Sequence, residues 1–441
     1  MSGATAAHAS YNGSGTQGIA VTNKLNDTGD IISTIWGKDD TTKQLLHGAS
    51  LIEIPSSGGG TSPGSIYTFT LNSDMDAIGD MYVFATIDPV GGVRVNKSIG
   101  LLSVINRIEF HCGTQIWQTL EQDDLVSLNT TELPETAYEK FILSSFGYIS
   151  DGSFNRRLTT FITETNATRV LSFKIPLLTR KVCPIFNNFS NVTESGFLTA
   201  CAPNQTVKIR IFTNTFADML ADRAITAAAA GSLDLRLFGN HLVMCNEERE
   251  KIRNIPGGIA KRVKITQNSN LSSFPLPRNG VITAIIDCDH FSLFASHLII
   301  KIHDVGEVGT YTDLTNRTAN DTSFCSLIDA DLRLNNTSYC GRLTGAAMSG
   351  PLADSMGLYV NTFTSRTITQ HDTLAYVFPL SNYAFSGAGV PLNRFDNIRL
   401  TIRIALDSAA GVAEELSRVS VTCVGESTAL YKQGAASISM Y

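Results

Sequence analysis

The sequence has few charged residues for its length, and this scarcity limits what it can bind. Of 441 residues, 17% are Asp, Glu, Lys or Arg, and the formal net charge is −6. The first forty residues contain only Lys24 and Lys38 as basic groups. Proteins that package nucleic acid directly usually carry a basic patch or arm. We therefore expect no direct contact with nucleic acid.

Long apolar runs are also missing. No stretch approaches the roughly eighteen consecutive apolar residues of a membrane-spanning helix. The chain starts Met-Ser-Gly-Ala-Thr-Ala-Ala-His, which has neither the basic nor the apolar region of a secretory signal. We expect a soluble protein that folds inside the cell.

Cysteine and tryptophan are too sparse to suggest a metal, redox or sugar-stacking site. None of the eight cysteines forms a C-x-x-C pair or clusters with histidines, which argues against zinc and redox chemistry. We interpret them as small buried side chains in a reducing compartment. They are Cys112, Cys183, Cys201, Cys245, Cys288, Cys325, Cys340 and Cys423.

Catalytic and metal-binding motifs are lacking too. The sequence has no G-x-S-x-G elbow, phosphate loop, H-E-x-x-H pair or EF-hand spacing. The most metal-like cluster is Asp287-Cys288-Asp289-His290, but no third ligand follows on the same face. Asp329 and Asp331 have the same spacing, and we interpret both groups as strand ends. We predict no catalytic residue, no metal and no cofactor.

The sequence is instead rich in Asn, Ser and Thr, and thirteen N-x-[ST] sequons result. The favoured interpretation is polar surface loops of biased composition; the alternative is glycosylation by a non-secretory pathway. The candidate asparagines are Asn12, Asn26, Asn96, Asn129, Asn166, Asn188, Asn191, Asn204, Asn270, Asn316, Asn320, Asn335 and Asn336.

Apolar residues alternate with polar ones through most of the chain. This period of two predicts strands with one buried face. The clearest examples are 67–71, 81–87 (closed by Asp88-Pro89), 207–211, 233–237 and 398–404. The composition and the pattern together predict an all-β protein.

Breaks in this pattern suggest the domain organisation. Helical patches are predicted at 134–146 and 216–230, between strands. A charged run at 246–251, followed by Pro256-Gly257-Gly258, is the candidate boundary. The predicted divisions are an amino-terminal arm, a first β-rich domain, a linker and a second β-rich domain, at 1–47, 48–250, 251–258 and 259–441.

Five segments, in order, resemble the major capsid proteins of nucleocytoplasmic large DNA viruses. The most specific is the last, with a Tyr-x-Phe strand, a Ser-Gly turn and an Asn-x-x-Arg-Phe-Asp-Asn segment before the next strand. The first forty-seven residues and the tail after Tyr431 do not match the usual pattern, which indicates a divergent member. The five segments are Tyr67–Pro89, Ile105–Asp124, Leu171–Ile211, Leu242–Lys251 and Tyr376–Leu400.

The resemblance implies two consecutive eight-stranded jelly rolls with short helices in the loops. It also implies a structural, non-enzymatic role. Three copies would form a pseudo-hexagonal capsomer, and capsomers would tile the icosahedral shell of a double-stranded DNA virus. Implied partners are other copies, minor capsid or cement proteins, penton proteins and internal membrane proteins. The implied location is the virion capsid, with assembly in the host cytoplasm.

Two other functions remain open from the residues alone. Exposed loops and an Asn-rich surface are compatible with a glycan- or receptor-binding double β-sandwich protein. A two-domain β-sandwich hydrolase would need a carboxylate pair in a groove between the domains. Nothing in the sequence indicates such a pair.

Overall fold

The computed structural model describes most of the chain from residue 47 onward. The described ranges are 47–60, 62–71, 75–90, 104–132, 148–149, 169–175, 197–215, 230–244, 246–255, 258–269, 272–276, 280–305, 324–356, 358, 375–381, 389–407 and 415–439. Ala49–Leu242 and Arg253–Tyr441 form one compact unit, and Met1–Gly48 with Val243–Ile252 form another. The smaller unit contains most of a charged helix, α2, which spans Asn246–Arg253.

Among the described residues, nine strands precede that helix, and they form two sheets that we call the N-terminal sandwich. The sheet orders are β1-β9-β3-β7-β6 and β2-β8-β4-β5. Tyr67 on β2 donates its hydroxyl to the Leu233 carbonyl on β9 at 3.0 Å, so the two sheets face each other. The strands are β1 (His47–Ile54), β2 (Ile66–Leu71), β3 (Ala77–Val90), β4 (Ile105–Cys112), β5 (Gln115–Glu121), β6 (Tyr148–Ile149), β7 (Arg169–Lys174), β8 (Val207–Thr213) and β9 (Ala230–Met244).

In the part of the chain described after the helix, twelve further strands form the C-terminal sandwich. One sheet has the order β10-β20-β13-β17, with β11 and β21 on β20 and β18 on β13; the other is β12-β19-β14-β15, with β16 on β14. The Tyr376 hydroxyl on β17 accepts from the Leu327 amide on β14 at 3.2 Å and links the sheets. The strands are β10 (Ile259–Asn268), β11 (Ser272–Leu276), β12 (Gly280–Asp287), β13 (Phe294–Val305), β14 (Phe324–Leu334), β15 (Thr337–Ser338), β16 (Leu343–Thr344), β17 (Ala375–Pro379), β18 (Val390–Pro391), β19 (Ile398–Asp407), β20 (Glu415–Lys432) and β21 (Ala435–Ser439).

The two sandwiches repeat one topology. The sheet β1-β9-β3-β7 corresponds strand for strand to β10-β20-β13-β17, and β2-β8-β4-β5 corresponds to β12-β19-β14-β15. Each sandwich therefore contains eight equivalent strands in the same chain order, which is the arrangement of an eight-stranded jelly roll. The predicted all-β fold of two consecutive jelly rolls is confirmed.

Side-chain alternation explains why these segments are strands. Along β8, each residue from Val207 to Thr213 is alternately buried and partly exposed. Each aliphatic side chain buried in this way contributes about 1.5–3 kcal/mol. Strands predicted at 67–71, 207–211, 233–237 and 398–404 are confirmed. The strand predicted to close at Asp88-Pro89 continues to Val90, because Pro89 still pairs with Gly231 on β9.

The helices were predicted less well. Patch 134–146 lies outside the described residues, as does patch 216–230 except Ala230, which begins β9 rather than ending a helix. The four α-helices of the described residues were not predicted as helices, and one of them, α2, covers the charged run at 246–251. The others are α1 (Gln122–Glu132), α3 (Gly345–Met348) and α4 (Pro351–Ser355). In α1, Asn129 and Thr131 are buried and bond the carbonyls of residues four positions earlier. Its buried side is partly polar, so it shows no amphipathic period.

Candidate functional site

The contact between the two sandwiches is the most distinctive polar feature of the described chain. On the N-terminal side it is formed by β5 and α1. On the C-terminal side it is formed by β10 and β17, and by β13 and β20 through their bonds to α1. Within it, the buried Gln118 amide donates to the Thr266 hydroxyl at 3.2 Å. We call this contact the junction.

A buried ammonium group lies at its centre. Lys301 on β13 is 1% exposed, and its Nζ lies 2.6 Å from Asp123 Oδ2 and 2.9 Å from Asp124 Oδ1 on α1. Burial alone would lower the pKa of Lys301, but the two carboxylates outweigh it and hold the pKa above its ordinary value. The lysine therefore remains charged throughout the neutral pH range. Its attraction to the two carboxylates, which joins the sandwiches, persists over the same range.

The remaining oxygen positions of Asp124 are also satisfied. Oδ1 accepts from the Thr422 hydroxyl at 2.8 Å, and Oδ2 accepts from the Asn268 amide at 2.5 Å and the Glu121 backbone at 2.9 Å. Ser420 donates to Asp123 at 3.2 Å. A buried ion pair repays its desolvation only when its geometry is good and its other lone pairs are bonded. This cluster meets both conditions.

An aromatic cluster forms a second part of the junction. Tyr431 on β20 packs on Phe197, with ring centroids 5.4 Å apart, and Phe197 in turn packs on Trp117 and Phe110. The Tyr431 hydroxyl accepts from the Leu198 amide at 3.4 Å. Burial raises the pKa of Tyr431 above its ordinary value, so the hydroxyl stays protonated.

The last described strand also reaches across the junction. A turn at Gln433 and Gly434, both with positive φ, folds β21 back on β20. The Asn204 backbone donates to the Gly434 carbonyl at 3.0 Å, and the Ala436 backbone donates to Gln205 Oε1 at 2.7 Å. This carboxyl-terminal hairpin therefore belongs to one sandwich and is bonded to both.

One histidine near the junction is buried without charge. His297 on β13 is fully buried, and its Nδ1 lies 2.9 Å from the Ser296 hydroxyl. Within the described structure its Nε2 has no hydrogen-bond partner. Burial, together with the nearby Lys264, lowers the pKa of His297 to about 3. The ring is therefore neutral at physiological pH.

The residues predicted as metal-like do not converge on a site. After β12 ends at Asp287, the Asp289 carboxylate accepts from the Ile398 amide and His290 Nε2 lies 2.8 Å from the Asn268 carbonyl. Asp329 and Asp331 lie within β14 rather than at a strand end, and they pair with Arg403 and Arg333. In the described part of the chain, no group of three or more His, Cys, Asp or Glu could hold a metal.

Four of the thirteen sequon asparagines are described. Asn129 is buried, and its Nδ2 donates to the Leu125 carbonyl at 2.6 Å, so a glycan has no room there. Asn204, Asn335 and Asn336 are exposed, and the last two form a tight turn with positive φ between β14 and β15. The others lie outside the described residues: Asn12, Asn26, Asn96, Asn166, Asn188, Asn191, Asn270, Asn316 and Asn320.

Comparison with known proteins succeeds only at the level of structure. No protein-family model matches the chain, and no curated protein matches its sequence. Solved capsid structures do match. The PBCV-1 virus capsid, as a quasi-atomic model, aligns with a TM-score of 0.66 at 12% identity, over 90% of this chain and 97% of that chain. This chain has the double jelly-roll fold of viral capsid proteins.

Two other matches extend the range of viruses that share this double jelly roll. The Faustovirus major capsid protein aligns with a TM-score of 0.58 at 10% identity, over 88% of this chain and 91% of that chain. The mavirus major capsid protein aligns with a TM-score of 0.51 at 9% identity, over 94% and 93%. The three alignments thus cover 88–94% of this chain at 9–12% sequence identity.

Proposed function

We propose that this chain is a major capsid protein that forms trimeric, pseudo-hexagonal capsomers in the icosahedral shell of a double-stranded DNA virus. The observation that carries the proposal is the likeness of nearly the whole chain to capsid proteins, with both jelly rolls present. The junction supports it, because buried ionic and aromatic contacts hold the two jelly rolls as one building block. Three such blocks would present six similar sandwiches in a ring.

The proposed domain organisation follows the sequence prediction. The first jelly roll comprises 48–250 and the second 259–441, with 251–258 as the linker and 1–47 as an arm. Helix α2 spans Asn246–Arg253, so the linker begins within a helix rather than in an open loop. Along the chain, the strands of the first sandwich precede this helix and those of the second follow it.

The proposed role is structural rather than catalytic. The proposed partners are further copies of the chain, minor capsid or cement proteins, penton proteins and proteins of an internal membrane. The proposed sites of action are the virion and, during assembly, the host cytoplasm. None of the helices in the described ranges is long and apolar enough to cross a membrane.

Light scattering coupled to size-exclusion chromatography tests the proposal. We expect a species of three times the 47.6 kDa chain mass that persists on dilution. Electron microscopy of that species should show a hexagonal outline. A stable monomer would contradict the proposal and would favour the glycan- or receptor-binding alternative.

Glycosylation of the exposed sequons remains a prediction. Of the described asparagines, Asn204, Asn335 and Asn336 have the exposure that modification needs, whereas Asn129 does not. Intact-mass and peptide mass spectrometry of protein from virus particles would detect added hexoses. Sugar on Asn129 would contradict the burial of that side chain.

A further inference from the structure

The repeated topology makes the two sandwiches comparable face by face. Strands β3 and β9 are neighbours in the N-terminal sandwich, and β13 and β20 are their equivalents in the C-terminal sandwich. In each pair, one face of the sheet packs in the core of its own sandwich, and the opposite, outer face points away from that core. The outer faces of the two pairs occupy the same topological position.

The outer face of β13 and β20 is covered by the other sandwich. Lys301 and Thr422 are almost fully buried there, and both bond Asp124 on α1. The covering segment is β5 with α1, which lies at the end of the four-stranded sheet of the N-terminal sandwich. This outer face is therefore a docking surface within the chain.

The equivalent face of β3 and β9 carries aromatic side chains that are still partly exposed. Tyr82 pairs across the strands with Phe238, and the Phe84 and Phe238 rings meet edge to face with centroids 5.0 Å apart. An exposed ion pair between Asp234 and Arg236 borders them. Aromatic residues bordered by charged ones are typical of the centre and rim of a protein interface.

The C-terminal sandwich has a counterpart of the segment β5–α1. It runs from β15 through β16 and α3 to the end of α4, residues 337–355, again at the end of the four-stranded sheet. Tyr339 in this segment is 42% exposed, and Arg342 is also exposed. Tyr and Arg are enriched among the residues that carry most of the binding energy at interfaces, and the Arg guanidinium is attracted to aromatic faces.

We propose that the outer face of β3 and β9, centred on Tyr82, Phe84 and Phe238, binds residues 337–355 of a second copy of this chain. This contact between two molecules would have the same arrangement as the junction within one molecule. A head-to-tail contact of this kind closes into a ring when its rotation matches the symmetry. The inference rests on the proposed function and specifies which surfaces hold the copies together.

Two substitutions and a matched control test it. Phe84→Arg and Phe238→Arg each place a charge in the proposed contact and should weaken self-association of the full chain at least tenfold. Ile285→Arg is the control, because Ile285 is an equally apolar sheet residue, 59% exposed, on the outer face of β12. It should leave the oligomer intact. Light scattering gives the mass, and circular dichroism melting shows whether each variant is folded.

The outcomes separate the two proposals. If the unmodified chain is a monomer, the proposed function and this inference both fail. If it is a trimer that survives both Phe84→Arg and Phe238→Arg in folded form, the inference alone is overturned. Dissociation by Ile285→Arg would also overturn it, because the interface would then lie at β12. Should the arginine variants not fold, Phe84→Ser and Phe238→Ser remove the same rings without adding a charge, and the same readings apply.

Discussion

Lys301 and Asp124 are 177 residues apart in sequence and 2.9 Å apart in space. Removing the lysine would leave Asp124 buried beside Asp123 without its cation. Breaking a buried ion pair from one side costs about 3–5 kcal/mol. We expect Lys301→Met to lower the free energy of unfolding by about that amount, measured by urea denaturation.

A control for this substitution exists on the surface. Arg236→Met breaks an ion pair with Asp234 in which both side chains are more than half exposed. Such pairs contribute little, in water as at the rim of an interface, so its denaturation curve should nearly overlay that of the unmodified chain. Equal losses in the two variants would show that burial of Lys301 is not what makes its pair strong.

The neutral His297 gives the fold a pH dependence. The unfolded chain binds a proton at this ring near the ordinary pKa of 6.5, whereas the folded chain binds it only near 3. Falling pH in this window therefore favours unfolding. We expect the free energy of unfolding to fall steadily below pH 6.5, and His297→Gln to make that fall shallower.

The comparison is best made between pH 6.5 and 5.5, above the range in which most carboxylates titrate. His241, whose pKa burial also lowers, will keep some slope in the variant. Identical slopes for the variant and the unmodified chain would show that His297 is accessible to protons in the folded state.

At the scale of elements, the start of β10 depends on a glycine. Gly258 has φ +85°, and a Cβ added there would lie 2.4 Å from the Tyr431 carbonyl oxygen on β20. Gly341 has a similar φ of +79°, but an added Cβ would meet nothing within 4 Å. Replacement by alanine at either position costs the free energy of holding a non-glycine residue at positive φ. Only at Gly258 does the new Cβ also clash with a backbone atom.

We therefore expect Gly258→Ala to be more destabilising than Gly341→Ala. The difference should be about 1–3 kcal/mol, the usual cost of forcing atoms into packed space. Thermal melting of the two variants side by side measures it. Equal shifts would mean that β10 and β20 can separate at no cost.

The elements also show which parts of the fold could be predicted from sequence. Strands such as 207–211 could, because the alternation that marks them is local. Lys301 could not, because Ile300-Lys301-Ile302 looks like an ordinary strand with its lysine in water. The face is buried only because α1 packs on it, and α1 itself lacks an amphipathic pattern. The prediction of a strand end at Asp329 and Asp331 is wrong, because both lie within β14. The partner that neutralises Asp329 is Arg403, 74 residues away, and a local pattern does not reveal it.

At the scale of the whole molecule, both sandwiches belong to one compact unit. We therefore expect them to unfold together in a single transition, with the same midpoint by tryptophan fluorescence and by circular dichroism. Tyr431→Ala, which removes the aromatic contact across the junction, should lower that midpoint and separate the two probes. Separate midpoints in the unmodified chain would show that the junction does not couple the sandwiches.

The buried lysine has a geometric consequence for a shell. An apolar interface can slide and still be satisfied, whereas an ammonium group that needs two carboxylates at fixed distances tolerates only a narrow range of angles. We therefore expect the angle between the jelly rolls to vary little from copy to copy. If this chain builds the proposed shell, curvature must be taken up at the seams between capsomers, and flat facets with sharp edges follow from such a building block.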